Sequence, residues 1–230
     1  MMNKQTAHDK IMKLRRELAR HNYLYYVEAT PEIADHDYDV MLRELASLEA
    51  AFPEFKSDDS PTVRVGGDPL KGFSTVTHRV PMLSIDNTYS YDEIREFDKR
   101  VQKELGLTPE YFVEEKVDGV SIALLYEKGK LIQAVTRGNG RQGDDVTANV
   151  RTIRSIPLRI PVVPSKDLTI PALLEVRGEI YLSKKSFAAI NKKREEAEED
   201  LFANPRNAAA GTLKLLDPRL VAERNLNFVP

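Results

Sequence analysis

The sequence predicts an α+β protein, a small helical hairpin followed by a larger region where antiparallel strands mix with helices. Three observations carry that expectation. Apolar residues recur at helical spacing over the first fifty positions, a Ser/Asp/Pro/Gly-rich stretch from Lys56 to Gly72 interrupts the chain, and short β-rich apolar runs bounded by turn residues follow it.

Residues 4–28 carry Ile11, Leu14, Leu18 and Tyr25 at spacings of three, four and seven among Lys, Arg and Glu, which predicts an amphipathic helix. After Ala29-Thr30-Pro31 a second helix is expected to begin near Asp35 and to end before Pro53, with Tyr38, Met41, Leu42, Leu45 and Leu48 as its apolar stripe. Lys56–Gly72 reads as a linker, so the boundary is placed near residue 70, with domains at 1–68 and 69–230. Ser90-Tyr91-Asp92 opens a third helix bearing Ile94, Phe97 and Val101. Leu124-Leu125-Tyr126 and Leu131-Ile132 flank Glu127-Lys128-Gly129-Lys130, a hairpin signal, and Leu173–Leu182 reads as a further strand. Helix returns over Ser183–Glu198 with Ser183 as N-cap; the charged run Lys192–Asp200 is its exposed face and exit.

Composition narrows the function classes. The 230 residues are 41% apolar, enough for a core. Thirty-four basic and 36 acidic side chains nearly cancel, so no global polycationic field marks nucleic-acid binding, although local patches are compatible with it. Without cysteine the chain forms no disulfide and no cysteine-ligated zinc site. No apolar run reaches membrane-span length and the N-terminus lacks a signal-peptide core, so a cytoplasmic location without membrane partners is expected.

Lys116, in Glu114-Glu115-Lys116-Val117-Asp118-Gly119, is the residue with the sharpest chemical implication. A lysine beside an Asp-Gly turn can serve as a covalent nucleophile toward phosphorus, the reaction of a nucleotidyltransferase. An ordinary lysine, with a pKa near ~10.4, is protonated at neutral pH, so its surroundings must favour the neutral amine. The flanking runs Tyr111-Phe112-Val113 and Val120–Tyr126 are β-rich and predict Lys116 at a strand end or turn beside the core. Glu114 and Glu115 can orient a sugar, a base or a metal. The plainer reading of the same tetrad is a solvated lysine beside a turn.

Three further clusters lie downstream. Arg137-Gly138-Asn139-Gly140-Arg141-Gln142-Gly143-Asp144-Asp145 suits a loop whose backbone closes on ribose or phosphate, with Arg137 reaching an anion, and equally suits a surface turn. Glu175, Arg177 and Glu179 share one strand face by their period of two, either on a solvated edge strand or lining a nucleotide or metal site. Phe202–Gly211 joins turn residues to a small-residue run and presents Arg206; Arg206 and Lys214 are candidates for phosphate or DNA contacts.

Taken together, Lys116-Val117-Asp118-Gly119, Glu175-Val176-Arg177-Gly178-Glu179 and Asn204-Pro205-Arg206-Asn207-Ala208-Ala209-Ala210-Gly211 resemble, in order, motifs of the bacterial NAD-dependent DNA ligases, over essentially the whole chain. The hairpin, with Tyr25, Tyr26, Asp35, His36, Asp37, Tyr38 and Asp39, resembles the family's small domain that grips the nicotinamide mononucleotide half of NAD. The resemblance implies that residues 69–230 are the first part of an adenylation domain, an ATP-grasp-like ligase fold incomplete on its C-terminal side. It implies that Lys116 attacks NAD to form lysyl-AMP, the first step in sealing nicks in duplex DNA during replication and repair. Ser84, Ile85, Glu114, Asp118, Arg137 and Glu179 then surround the adenosine, and Tyr25 and Tyr38 stack the cationic nicotinamide while Asp35 and Asp39 take ribose hydroxyls. Implied as well are magnesium or manganese without a dedicated protein cage, zinc only in a part not included here, nicked DNA as partner of the full-length protein, a monomer, and a bacterial nucleoid-associated activity.

Three positions depart from the family pattern. Asn139 stands where Asp is common; Lys214 replaces Arg, keeping charge but losing the bidentate fork; Tyr26 stands where Tyr or His occurs. Two alternatives stay open, an ATP-dependent nucleotidyltransferase and a module that binds NAD or nicotinamide mononucleotide without turnover.

Overall fold

A computed structural model describes residues 3–26, 30, 32–64, 71–160 and 169–230. Helices α1 (Lys4–Tyr26) and α2 (Asp35–Ala51) form the expected hairpin. Ile11, Leu14 and Leu18 of α1 meet Leu45 of α2 in a small buried cluster, with Tyr38, Met41, Leu42, Leu48 and Phe55 packed around it. Tyr25 does not join that stripe: it is 46% exposed and lies outside the buried cluster.

The stretch read as a linker is packed structure over its described part. It forms two 3-10 turns, Pro53–Phe55 and Pro61–Arg64, with Ser60 fully buried. The buried carboxylate of Glu49 draws it in, accepting hydrogen bonds from Ser60 Oγ (2.7 Å) and Thr62 Oγ1 (2.5 Å) as well as from Arg15. The expected boundary at 68/69 lies outside the described residues.

The larger region is built on an antiparallel sheet of β2 (Val120–Glu127), β3 (Lys130–Thr136), β5 (Leu173–Tyr181) and β6 (Asn227–Val229), ordered β3-β2-β5-β6. A separate ribbon pairs β1 (Thr75–Thr77) with β4 (Gln142–Asp144). The β2–β3 turn falls where the sequence places it. Lys128 and Gly129 both have positive φ, 47° and 79°, the geometry that matches the twist of a two-residue hairpin. Helices α4 (Thr147–Val150), α5 (Lys184–Glu196), α6 (Pro205–Leu213) and α7 (Pro218–Ala222) contribute Val150, Ile190, Ala208, Leu213 and Val221 to a core shared with Ile122, Leu124, Leu131 and Ile180 of the sheet. Ser183 caps α5 as expected, accepting from the Ser186 N–H, and Asn204 caps α6, accepting from the Asn207 N–H with Pro205 in the first turn. The charged exit of α5 is not wholly solvated, since Arg194 lies over the Phe202 ring at 4.6 Å and pairs with Glu199 at 2.8 Å.

Between residues 83 and 119 one expectation holds and one fails. Helix α3 (Tyr91–Leu105) forms, with Ser90 capping the Glu93 N–H and Glu93 reaching back to the Tyr89 N–H, but it buries none of its residues. Its stripe residues Ile94 and Phe97 are half exposed. The run Tyr111-Phe112-Val113 forms no strand, and Phe112 is 97% exposed. A strand needs a ladder partner, and among the described residues β2 finds its own in β3 and β5 without reaching this run.

The two regions are joined by charge. Asp58 pairs with Lys130, and Asp59 with Arg159 at 2.6 Å. The bond from Lys130 holds the Asp58 carboxyl below its ordinary value. At Asp59 burial pushes upward, yet the Ser57 hydroxyl and Arg159 outweigh it and the net shift is again down. Carboxylates depressed in the folded state add stability above their unfolded pKa and lose it as pH falls through the depressed range. Stability is therefore expected to decline between about pH 5 and about pH 2 more steeply in the wild type than in Asp58→Asn/Asp59→Asn. Urea unfolding across that window checks this; parallel profiles would show that the two pairs do not stabilise the junction.

Candidate functional site

Lys116 sits four positions ahead of β2, in a segment without regular structure, and is exposed. This corrects the expectation of a lysine beside the core, because the preceding run has no strand to hold it there. What is fixed is the turn that follows. Gly119 is buried, and its N–H donates to Glu179 Oε1 at 3.0 Å. The other oxygen of that carboxylate accepts from Ser121 Oγ at 2.7 Å. Ser121 and Glu179 face each other in the β2–β5 register, so the ladder itself delivers the carboxylate to the turn. The approach is close: a Cβ on Gly119 would lie 2.1 Å from the Ile180 carbonyl oxygen, which leaves no side chain room at that position.

Asp118, next in the turn, receives Arg206 Nη1 at 2.9 Å from the first turn of α6. The three motif segments, far apart in sequence, therefore meet at the turn after Lys116. Arg206 and Lys214, the phosphate candidates, are both ion-paired here, Lys214 with Asp144 at 2.9 Å.

The glycine-rich loop joins the same assembly. The Arg137 N–H donates to the Ser121 carbonyl (2.9 Å), which places Arg137, half-buried, beside the start of β2. Asn139 Oδ1 accepts from the N–H groups of Arg141 (2.9 Å) and Gln142 (2.8 Å). An Asp would offer the same acceptor, so in this loop the Asn departure preserves the geometry that shapes the turn.

Glu175, Arg177 and Glu179 do not lie on a solvated edge strand. β5 pairs with β2 along its length and with β6 over Glu179–Tyr181. Arg177 Nε bonds Glu175 at 2.8 Å, while its two terminal nitrogens donate to the carbonyls of Pro81 (3.0 Å) and Val80 (2.6 Å). Ser84 and Ile85 follow that segment and are exposed, as is Glu114.

A second group of candidates lies at one end of the hairpin. Tyr25 lies in the last turn of α1, and His36, Asp37, Tyr38 and Asp39 near the start of α2; all are exposed except Tyr38, which packs partly on the hairpin core. Ala34, not Asp35, occupies the N-cap position, without a side-chain cap. The side chains of Tyr26 and Asp35 lie outside the described residues. Ser121 was not singled out from the sequence, although a lone hydroxyl in the apolar run Val120–Tyr126 was a usable signal.

Among the described residues no cluster of three or more His, Asp or Glu side chains is arranged to hold a metal ion, and no helix is long and apolar enough to cross a membrane.

Residues 70–230 match the family described as NAD-dependent DNA ligase adenylation domain, and residues 4–66 that described as DNA ligase-like, N-terminal NAD+-binding domain. A DNA ligase of Coprothermobacter proteolyticus is 49% identical over 230 residues, 100% of this chain and 34% of the relative. One from Chlorobaculum tepidum is 53% identical, covering 99% of this chain and 34% of the relative. One from Parabacteroides distasonis is 55% identical, covering 95% and 32%. The chain thus spans about a third of the length of the curated relatives it matches.

Proposed function

From a chain that belongs to the NAD-dependent DNA ligase family, we propose a transfer in which Lys116 is the nucleophile that takes the adenylyl group from NAD. The Nζ lone pair forms a P–N bond to the adenylyl phosphorus as the P–O bond to the bridging oxygen breaks. The electron pair leaves with nicotinamide mononucleotide, and the amine proton passes to solvent. The observation that carries this reading is the convergence of Glu179 and Arg206 on the Asp118–Gly119 turn, which fixes the backbone directly after the exposed Lys116.

In this reading Glu114, Arg137, Glu179, Ser84 and Ile85 border the adenosine. Tyr25 and Tyr38 stack the nicotinamide, and Asp35 and Asp39 take ribose hydroxyls, with Tyr26, His36 and Asp37 beside them. Magnesium or manganese would be shared with water and the substrate phosphates, with the exposed Glu114 and the Arg206-paired Asp118 as the carboxylates available to it; when bound it would neutralise charge on the transferring phosphate. The division at 68/69 separates the nicotinamide-binding and adenylating units. Nick sealing, contact with duplex DNA through Arg206 and Lys214, a monomeric state and a cytoplasmic, nucleoid-associated location belong to the same proposal for the whole protein.

The test is intact-protein mass after incubation with magnesium and either NAD or ATP. One adenylate gained from NAD alone is the expected result. An adduct from ATP would instead identify an ATP-using enzyme, and ligand-induced stabilisation without an adduct would mark a binding module.

A further inference from the structure

The segment leading to Ser84 and Ile85 has neither helix nor strand of its own from His78 to Tyr89, yet its first part is held on two sides. On one side the glycine-rich loop grips it: the His78 N–H donates to the Arg141 carbonyl (2.9 Å), and the Met82 N–H to the Gly140 carbonyl (2.8 Å). On the other, Arg177 of β5 takes the Val80 and Pro81 carbonyls with its two terminal nitrogens while Nε stays on Glu175. Beyond Met82, which is buried, the chain emerges and every residue from Leu83 to Tyr89 is exposed. Arg177 is thus the side chain that fixes the last held stretch before Ser84 and Ile85.

We infer that Arg177 is a positioning residue for nucleotide binding: its fork registers residues 80–82 against β5, and through them sets where Ser84 and Ile85 stand along the adenosine side of the site. The inference rests on the nucleotide-transfer reading above. Its geometry depends on the planar fork, since two carbonyls and a carboxylate are met at once from one rigid group; a lysine ammonium on a flexible stem cannot hold all three in the same arrangement. The same strand face carries Glu179, which fixes the Gly119 turn. β5 therefore sets both irregular segments that border the proposed site, one with a cation and one with an anion.

The experiment compares Arg177→Met, Arg177→Lys and Glu175→Gln with the wild-type chain in two readouts. The first is single-turnover formation of the adenylate adduct against NAD concentration. The second is hydrogen exchange of the peptide Met82–Asn87, with the β2–β3 hairpin as an internal check on the fold. For Arg177→Met the half-saturating NAD concentration is expected to rise roughly tenfold, the scale of lost hydrogen bonds from a charged donor, while the saturated rate stays within about threefold. Exchange in Met82–Asn87 should quicken without change in the hairpin. Arg177→Lys should fall between the two, and Glu175→Gln, which keeps an acceptor for Nε, should stay near wild type. The inference is overturned if Met82–Asn87 exchanges as in wild type, if the saturated rate falls at unchanged half-saturation, or if the hairpin loosens in parallel. Should Arg177→Met fail to fold, Arg177→Lys decides by the same criteria. Absence of an adduct from wild type would defeat the transfer reading, and the exchange comparison would then decide the positioning of residues 80–82 by itself.

Discussion

Lys116→Ala is expected to abolish the adenylate adduct outright while leaving the fold and nucleotide binding intact. No other group in the Glu114–Gly119 run is an amine, and attack on phosphorus with displacement of nicotinamide mononucleotide requires a lone pair on an atom that can retain the adenylyl group. Because Lys116 is exposed, its truncation creates no cavity, and the unfolding free energy should move by no more than about 0.5 kcal/mol. NAD should still raise the unfolding midpoint of the variant, because the proposed contacts to adenosine and nicotinamide lie on other residues. Intact mass and thermal unfolding, each with and without NAD, check the two halves separately. A variant that still gains the adenylate mass would place the nucleophile elsewhere, whereas a variant that no longer unfolds cooperatively would show that Lys116 has a structural role.

The second large effect concerns stability. Glu49 is 4% exposed, and its carboxylate accepts from Arg15 Nε (2.9 Å) and Nη2 (2.6 Å), from Ser60 and from Thr62. Glu49→Ala would strip the guanidinium of Arg15, itself largely buried, of its carboxylate while the Phe55 carbonyl still accepts at 2.6 Å, and would leave two hydroxyls to find other partners. Breaking a buried pair from one side destabilises by about 3–5 kcal/mol. The apolar centre of the hairpin is small, with Ile11, Leu14, Leu18 and Leu45 as its buried cluster among the described residues, so most of that loss should fall on α1, α2 and the turns after them. Chemical unfolding followed by far-ultraviolet dichroism measures it. Glu49→Gln, which keeps the shape and one acceptor, should lose less; an alanine variant as stable as wild type would mean that the hairpin is held by its apolar contacts alone.

What the sequence made legible was whatever local chemistry decides. The helical stripe of α2, that of α1 apart from Tyr25, the Lys128-Gly129 turn and the Ser183 cap follow from spacing and side-chain type, and form where expected. What it hid depends on partners distant along the chain. Lys56–Gly72 has the composition of a linker, but Glu49 and the pair Lys130 and Arg159 give Asp58, Asp59, Ser60 and Thr62 fixed bonds, so composition and structure part company there. The period of two put Glu175, Arg177 and Glu179 on one face, yet only the register with β2 reveals that Glu179 meets Gly119 and Ser121. Tyr111-Phe112-Val113 shows the limit from the other direction: β-prone side chains form no strand where no ladder is offered. Of the candidate site, residue types and motif order were readable, while the bonds that fix Asp118 and the segment before Ser84 required coordinates.

The Gly119–Glu179 contact joins residues sixty positions apart across the β2–β5 seam. Such a site has no local precursor. The hairpin β2–β3 closes a two-residue turn and can form early, but the carboxylate reaches the turn after Lys116 only after the intervening chain has been looped back and its closure entropy met. A partly folded chain with both β2–β3 and α1–α2 formed would thus still lack the assembled turn, so the proposed site and the central strand pair are completed together.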